Sequence, residues 1–203
     1  MARRIASWAA LGYDLWHDGG ALGDNINRLV GTNKKGGSDM RRTDREVKEF
    51  DEIVAIMKKC DVCRIALNHD GYPYILPLNF GMAVNGKSIE LYFHGAMEGM
   101  KYDLMQKDNR ASFEMDCGHR LVTDTEHGNC TMEYESVIGK GRMEVLSQEE
   151  AEKALSILME HYHQEAFPFN HAIIPQTKVF KLVVEHVTGK ARKKFLHNTS
   201  HGR

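Results

Sequence analysis

Between residues 62 and 145 the chain places short β-branched and aromatic runs either side of tight-turn dipeptides, and this constrains its fold most. Asn85-Gly86 is the sharpest of these signals, joining an expected strand Tyr74–Val84 to Ser88–His94. Asn68-His69-Asp70-Gly71 marks another turn, after the apolar run Val62–Leu67. Pro73 and Pro77 make Tyr74–Val84 an edge or bulged strand, because proline cannot donate to a ladder. Further strands are expected at Ala111–Asp116, Thr131–Val145 and Lys178–Thr188, with Cys117–Asn129 as a polar loop. Gly139 and Gly141 suggest a bulge or a close backbone approach.

Three helices accompany these six strands. Thr43-x-x-Glu46 has capping-box spacing, and Val47, Phe50, Ile53, Val54 and Met57 recur at helical spacing, so one helix, or a turn and a helix, is expected over 44–59. A short one is expected over Met97–Lys107. Ser147-x-x-Glu150 opens the third, running to about His163. Strands do not alternate with helices, and no Gly-rich phosphate loop joins a strand to a helix. A doubly wound parallel sheet is thereby disfavoured. A small closed or partly closed antiparallel barrel with helices outside fits better.

Composition narrows the function. Hydrophobic residues are 42% of 203, enough for a core without disulfides or a structural metal. Lys+Arg 27 against Asp+Glu 28 leaves a formal charge of −1. No basic field holds a phosphate backbone, so no nucleic-acid partner is expected. No apolar run approaches the roughly 18 residues of a membrane span, so no membrane partner is expected either. Four cysteines are too few for a disulfide scaffold, and reduced thiols in a cytoplasmic setting are the default.

Residues 1–39 differ from the rest, holding seven of the 18 glycines and no glutamate. Arg3-Arg4 before Ile5–Leu11 imitates a signal peptide, but Asp14 interrupts it and no small-residue cleavage pattern follows. Lys34–Ser38 reads as a linker. We expect a leader or disordered extension over 1–39, a folded domain over 40–192 and a tail over 193–203.

Few residues suggest chemistry. In His94-Gly95-Ala96-Met97-Glu98-Gly99-Met100-Lys101 a strand hands over to a helix. Helix-start N–H groups, glycines that allow close approach and a lysine one turn in make an anion site. On the residues alone, a plain turn with a surface lysine explains the pattern more simply. Leu76-Pro77-Leu78-Asn79 offers unpaired carbonyls along which a flat ring could lie, but on the residues alone a plain edge strand with a tolerated proline accounts for it more simply. Tyr134 and Ser136 share one strand face, which exposure alone could explain. Cys60-x-x-Cys63 follows a helix and enters an apolar strand, unlike a redox motif, which opens a helix. Cys117, His119, His127 and Cys130 have spacings no common zinc motif uses, so no metal is expected. His161, His163 and His171 read as solvated.

Four segments in order carry a likeness: Cys63–Leu67, Pro73–Gly81, Leu91–Ala96 with Gly99 and Lys101, and Tyr134–Gly141. Over about residues 40–192 the chain resembles the FMN-binding split-barrel proteins related to pyridoxamine 5′-phosphate oxidase, and within them the nitroimidazole-resistance branch. The resemblance implies a mainly β fold with flanking helices: a six-stranded antiparallel split barrel with Greek-key order. It implies a homodimer with FMN in a groove at the subunit interface. The cofactor-binding residues would be Leu76, Pro77, Leu78, Asn79, His94, Gly95, Ala96, Lys101, Tyr134 and Ser136. The His94–Lys101 turn would take the phosphate, Leu76–Asn79 would run beside the isoalloxazine ring, and His94 would be catalytic. The implied activity is reduction of a small, nitroaromatic substrate. A flavin carrier or sensor without turnover, or a haem-binding split barrel, are the alternatives.

Two departures from the family pattern stand out. Met100 stands where relatives often carry a second basic residue, which would move the second phosphate charge to Arg64 or Lys140. Gly189-Lys190-Ala191-Arg192 replaces the tryptophan and arginines that read substrate in true pyridoxamine phosphate oxidases, so vitamin B6 oxidation is not expected.

Overall fold

The computed structural model describes residues 42–163, 168 and 170–192. The expectations for residues 1–39 and 193–203 lie outside them. A 3-10 turn, Thr43–Arg45, leads to strand β1, Glu46–Val47, and helix α1, Phe50–Lys59. Then come β2 (Cys63–His69), β3 (Tyr72–Leu78), β4 (Gly81–Asn85) and β5 (Ser88–Gly95). Helix α2 (Met100–Lys107), β6 (Arg110–Asp124), β7 (Asn129–Val145), α3 (Gln148–Tyr162) and β8 (Lys178–Arg192) complete the domain.

Both short hairpins follow local turn chemistry. His69 pairs Tyr72 across Asp70 and Gly71, whose φ values of 45° and 79° are those of a type I′ turn. Asn85 pairs Ser88, and of the loop residues only Gly86 has positive φ, 60°, as a type II′ turn requires.

Every pairing is antiparallel, and the sheet order is β3-β2-β6-β7-β8-β5-β4, with β1 added against β8. This corrects the single strand expected over Tyr74–Val84. It is two strands at opposite ends of the sheet, with Asn79 and Phe80 between them. Flat, seven strands would hold their edges six spacings apart, about 29 Å. Three residue steps from Leu78 to Gly81 reach at most about 11 Å. The sheet therefore rolls into a barrel whose split lies between β3 and β4. Pro73 and Pro77 both fall in β3, which pairs β2 alone, so their missing N–H groups cost no second ladder.

Inward-facing side chains fill the barrel: Ile65, Leu67, Phe80, Leu91, Phe93, Phe113, Met115, Val137 and Leu182 are among its buried members. Gly139 and Gly141 do mark close approaches. A β-carbon at Gly139 would lie 2.3 Å from the ring of Phe113, its partner on β6. One at Gly141 would lie 2.0 Å from the Val183 carbonyl oxygen, beside the register shift between β7 and β8.

Helix α1 begins at Phe50, later than its expected start, because Glu46 and Val47 pair with Lys190 and Gly189. Val47 and Ile53 pack on Gly189, where a β-carbon would come within 3.0 Å of each. That tertiary pairing overrides the Thr43-x-x-Glu46 signal. The Ser147 cap holds: the Glu150 carboxylate accepts from the Ser147 N–H (3.0 Å) and hydroxyl (2.9 Å). The Cys117–Asn129 loop is instead the distal half of a long β6–β7 ribbon, with a bulge between Cys117 and Arg120. No residue of its β6 strand from Cys117 to Asp124 is buried, so this stretch lacks the apolar alternation that signals a strand.

Candidate functional site

Strand β5 leaves the sheet where the barrel is split. Gly81, the first residue of β4, pairs Tyr92 of β5, and Asn79 and Phe80 link β3 to β4. The expected segment Leu76–Asn79 lies at the end of β3, and His94–Lys101 spans the end of β5 and the start of α2.

On the first, Leu76 and Leu78 pack against the core while Pro77 and Asn79 face outward. The switch is held from below by α3. The Tyr162 hydroxyl donates to the Asp61 carbonyl (2.7 Å) and accepts from the Phe80 N–H (3.0 Å) and Asn79 Nδ2 (3.3 Å). His161, expected to be solvated, instead donates from Nε2 to the Cys60 carbonyl (2.8 Å) and packs on Phe80, with ring centroids 4.3 Å apart. Spacing of residues within α3 carries no sign of these contacts, because their partners lie about a hundred residues upstream.

On the second segment, Gly95 pairs Lys178 of β8, and Gly99, with φ 145°, precedes α2. A β-carbon at Gly95 would meet the Lys101 Cε and Nζ at 3.0 Å and the Tyr102 hydroxyl at 3.1 Å. Glycine is thus what lets Lys101 fold back over the strand end. Tyr102 is 5% exposed, donates to the Ala96 carbonyl (2.8 Å) and stands edge-on to Phe180. Burial pushes its hydroxyl up to about 12. Desolvation, then the charge of Lys178, lowers the Lys101 ammonium below its usual value. Among the described residues no carboxylate pairs with Lys101. Desolvation also holds the His94 imidazole below 6.5, so it is mostly neutral at pH 7.

Tyr134 and Ser136 do not join this corner within one chain. Ser136 pairs Lys190 and Gly95 pairs Lys178, so the two sites lie twelve residues apart on β8, about 40 Å of strand. Arg64 is also committed elsewhere: its Nη1 contacts Glu114 (3.0 Å) and Asp116 (2.5 Å). Lys140 pairs His186, eight residues from Lys178 along β8, about 26 Å of strand. Neither expected source of a second charge stands at the Lys101 corner.

Cys60 and Cys63 are buried in the core, and desolvation raises both thiols. Among the described residues no group of three or more His, Cys, Asp and Glu converges as metal ligands. Among them, too, no helix is long and apolar enough to cross a membrane.

The fold is an antiparallel split barrel in which an ammonium without a carboxylate partner lies over the glycine at the end of β5. The family model described as pyridoxamine 5′-phosphate oxidase matches residues 49–191, and the chain belongs to that family. Among solved structures it is similar to a "putative 5-nitroimidazole antibiotic resistance protein" from Bacteroides thetaiotaomicron. Identity is 31%, coverage 72% of this chain and 86% of that one, and the TM-score 0.62. The fold is shared with the FAD- and haem-binding protein of Mycobacterium smegmatis, at 16% identity, 74% of each chain and TM-score 0.62. It is shared too with the flavocytochrome Anf3 of Azotobacter vinelandii, at 18% identity, 77% and 75% coverage and TM-score 0.61. No curated protein matches the chain.

Proposed function

We propose that the protein is a cytoplasmic FMN-dependent oxidoreductase that reduces a small nitroaromatic substrate as a homodimer. The observation that carries this is the Lys101 corner: an ammonium without a carboxylate partner, over the glycine backbone at the end of β5. That corner fits a phosphate, and the strip Leu76–Asn79 offers an apolar wall with outward carbonyls on which a flat ring can rest. Similarity to the Bacteroides protein supports the nitroaromatic substrate.

Bound FMN would supply the electron-transfer chemistry. The chain's own residues bind and orient. Lys101 would donate charge-assisted hydrogen bonds to the phosphate. Neutral His94, solvent-accessible at the strand end, can donate to or accept from a polar group of the substrate. Tyr134 and Ser136 would reach the flavin from a second copy, which favours the homodimer. The outward face they share also carries exposed Ile75 (59%) and Ile138 (57%), apolar area that a partner would cover. Four unbridged cysteines suit a reducing compartment.

The test is the absorbance spectrum of the purified chain, mass analysis of the released cofactor, and nitroaromatic reduction with NADH or NADPH. A Soret band in place of flavin bands would sink the FMN reading in favour of haem. Flavin without turnover of any nitroaromatic would make the protein a carrier or sensor. Light scattering should give about twice 23.1 kDa, and a monomer that still holds flavin would refute the shared site.

A further inference from the structure

The Lys101 corner holds a second ammonium. Lys178 is the ladder partner of Gly95, and its Nζ lies 4.4 Å from the centroid of the Tyr102 ring. Lys101 Nζ lies 4.4 Å from the same centroid. The two charges are thus at most 8.8 Å apart, twice the distance each makes to the ring. Tyr102 cannot swing to separate them, since its hydroxyl is tied to Ala96 and its ring is buried against Phe180.

Holding two like charges on one ring is unfavourable, and nearby cations are instead matched by carboxylates. Lys181, three residues along β8, is bonded to Glu90 (2.7 Å) and lies 3.6 Å from Glu144. Arg142 is bonded to Glu185, and Lys59 to Glu135. Among the described residues neither Lys101 nor Lys178 has such a partner. The mutual effect is visible in Lys101, whose ammonium is lowered by desolvation and then by Lys178. Cation–π attraction to Tyr102 offsets part of the repulsion, about 0.5–1 kcal/mol at an exposed site. An anion between them would offset more.

We propose that Lys178 is the second positive charge of this site, and that Lys101 and Lys178 together clamp the phosphate monoester of the flavin. The proposal rests on the FMN reading above. A phosphate monoester carries nearly two negative charges at pH 7, which two ammoniums match. Two N–H···O bonds of about 2.8 Å on different oxygens of one phosphate can join donors up to about 8 Å apart, which is compatible with two ammoniums held within 8.8 Å of each other. Lysine suits the role, because a flexible point charge needs no bidentate geometry. Lys178 thereby fills the gap left by Met100, a gap that neither Arg64 nor Lys140 can fill from its position. It also sets specificity, favouring FMN over riboflavin, which has the same ring system and no phosphate.

The test is equilibrium binding of FMN and of riboflavin by quenching of flavin fluorescence, on the full chain freed of cofactor. Wild type is compared with Lys178→Gln, Lys178→Arg and Lys101→Ala. Lys178→Gln should weaken FMN about tenfold or more, the loss of one charge-assisted bond, and leave riboflavin within about twofold. Lys178→Arg should retain most of the FMN affinity. A second readout needs no flavin: the Lys101 ammonium, followed by NMR titration, should rise in pKa when Lys178 becomes Gln. If wild type binds FMN no tighter than riboflavin, the phosphate reading of the corner itself fails. If wild type prefers FMN, Lys101→Ala abolishes that preference and Lys178→Gln keeps it, the phosphate reading stands and Lys178 has no part in the clamp. An unchanged Lys101 titration in Lys178→Gln would likewise overturn the pairing.

Discussion

Gly81→Ala should be among the most destabilising single-methyl additions to this protein, and the structure says why. Gly81 opens β4, is buried, and faces the backbone of α3. A β-carbon there would lie 2.4 Å from Leu158 Cα, 2.5 Å from Leu158 N and 2.6 Å from the Ile157 carbonyl carbon. All three atoms are backbone, so no rotamer change relieves the clash. To restore an ordinary contact α3 must retreat by about 1 Å, a gap that forfeits a quarter to a half of the dispersion energy along the seam. That seam is made by Ala151, Ala154 and Leu158, two of them small enough to let the helix approach so closely. Overpacking costs about 1–3 kcal/mol where side chains can adjust, and a backbone clash belongs at about 3 kcal/mol. For a domain of this size that lowers the midpoint by about 6–12 °C. Gly71→Ala is the control. Gly71 has open space around it and φ 79°, so its cost is conformational alone, about 1–2 kcal/mol. Thermal and urea unfolding of both variants decide it, and Gly81→Ala combined with Leu158→Ala should not recover stability. A Gly81→Ala midpoint within about 2 °C of wild type would show that α3 does not rest on β4 in this way.

Four further outcomes are expected. Lys101→Ala should weaken FMN tenfold to a hundredfold, from about 1.5–3 kcal/mol per charge-assisted bond, and riboflavin much less; equal losses by fluorescence titration would move the phosphate elsewhere. His94→Ala should reduce nitroaromatic turnover more than FMN affinity, and unchanged turnover would make the histidine a turn residue only. Because the folded His94 pKa lies below 6.5, the unfolded chain binds more protons between the two values. The contribution of His94 to stability is therefore full above 6.5 and lost as pH falls through the folded pKa; His94→Gln should flatten that part of the profile, and an NMR pKa above 6.5 would reverse the sign. Tyr162→Phe leaves the Phe80 N–H without its partner, while the Asp61 carbonyl keeps Asn79 Nδ2 (3.2 Å), and should cost about 1–3 kcal/mol in urea unfolding, with faster amide exchange at Phe80; no loss would mean that α3 does not hold the β3–β4 switch.

What the residues determine alone is what neighbours in the chain can decide. Asp70-Gly71 and Gly86 form the expected turns because positive φ is a local property of those residues. Ser147 and Glu150 cap α3 because a capping box spans only three residues. The split-barrel family, too, was legible in four motifs and is the family the chain belongs to. Position across the sheet was not legible. That Tyr74–Val84 divides at Asn79 and Phe80 into the two edges of a barrel depends on pairing with β2 on one side and β5 on the other. That β1 displaces the start of α1 depends on Gly189, more than a hundred residues away. Tyr134 and Ser136 have the same residue-level appearance whether they lie near His94 or far from it, and the register of β8 puts them far from it. Lys178 carried no signal at all, as the first residue of a last strand. It reaches Tyr102 only because β8 runs antiparallel to β5 with Gly95 opposite it. Turns and caps are decided by backbone geometry over a few residues, whereas these juxtapositions are decided by ladder register between segments far apart in sequence. Only the closed sheet sets that register.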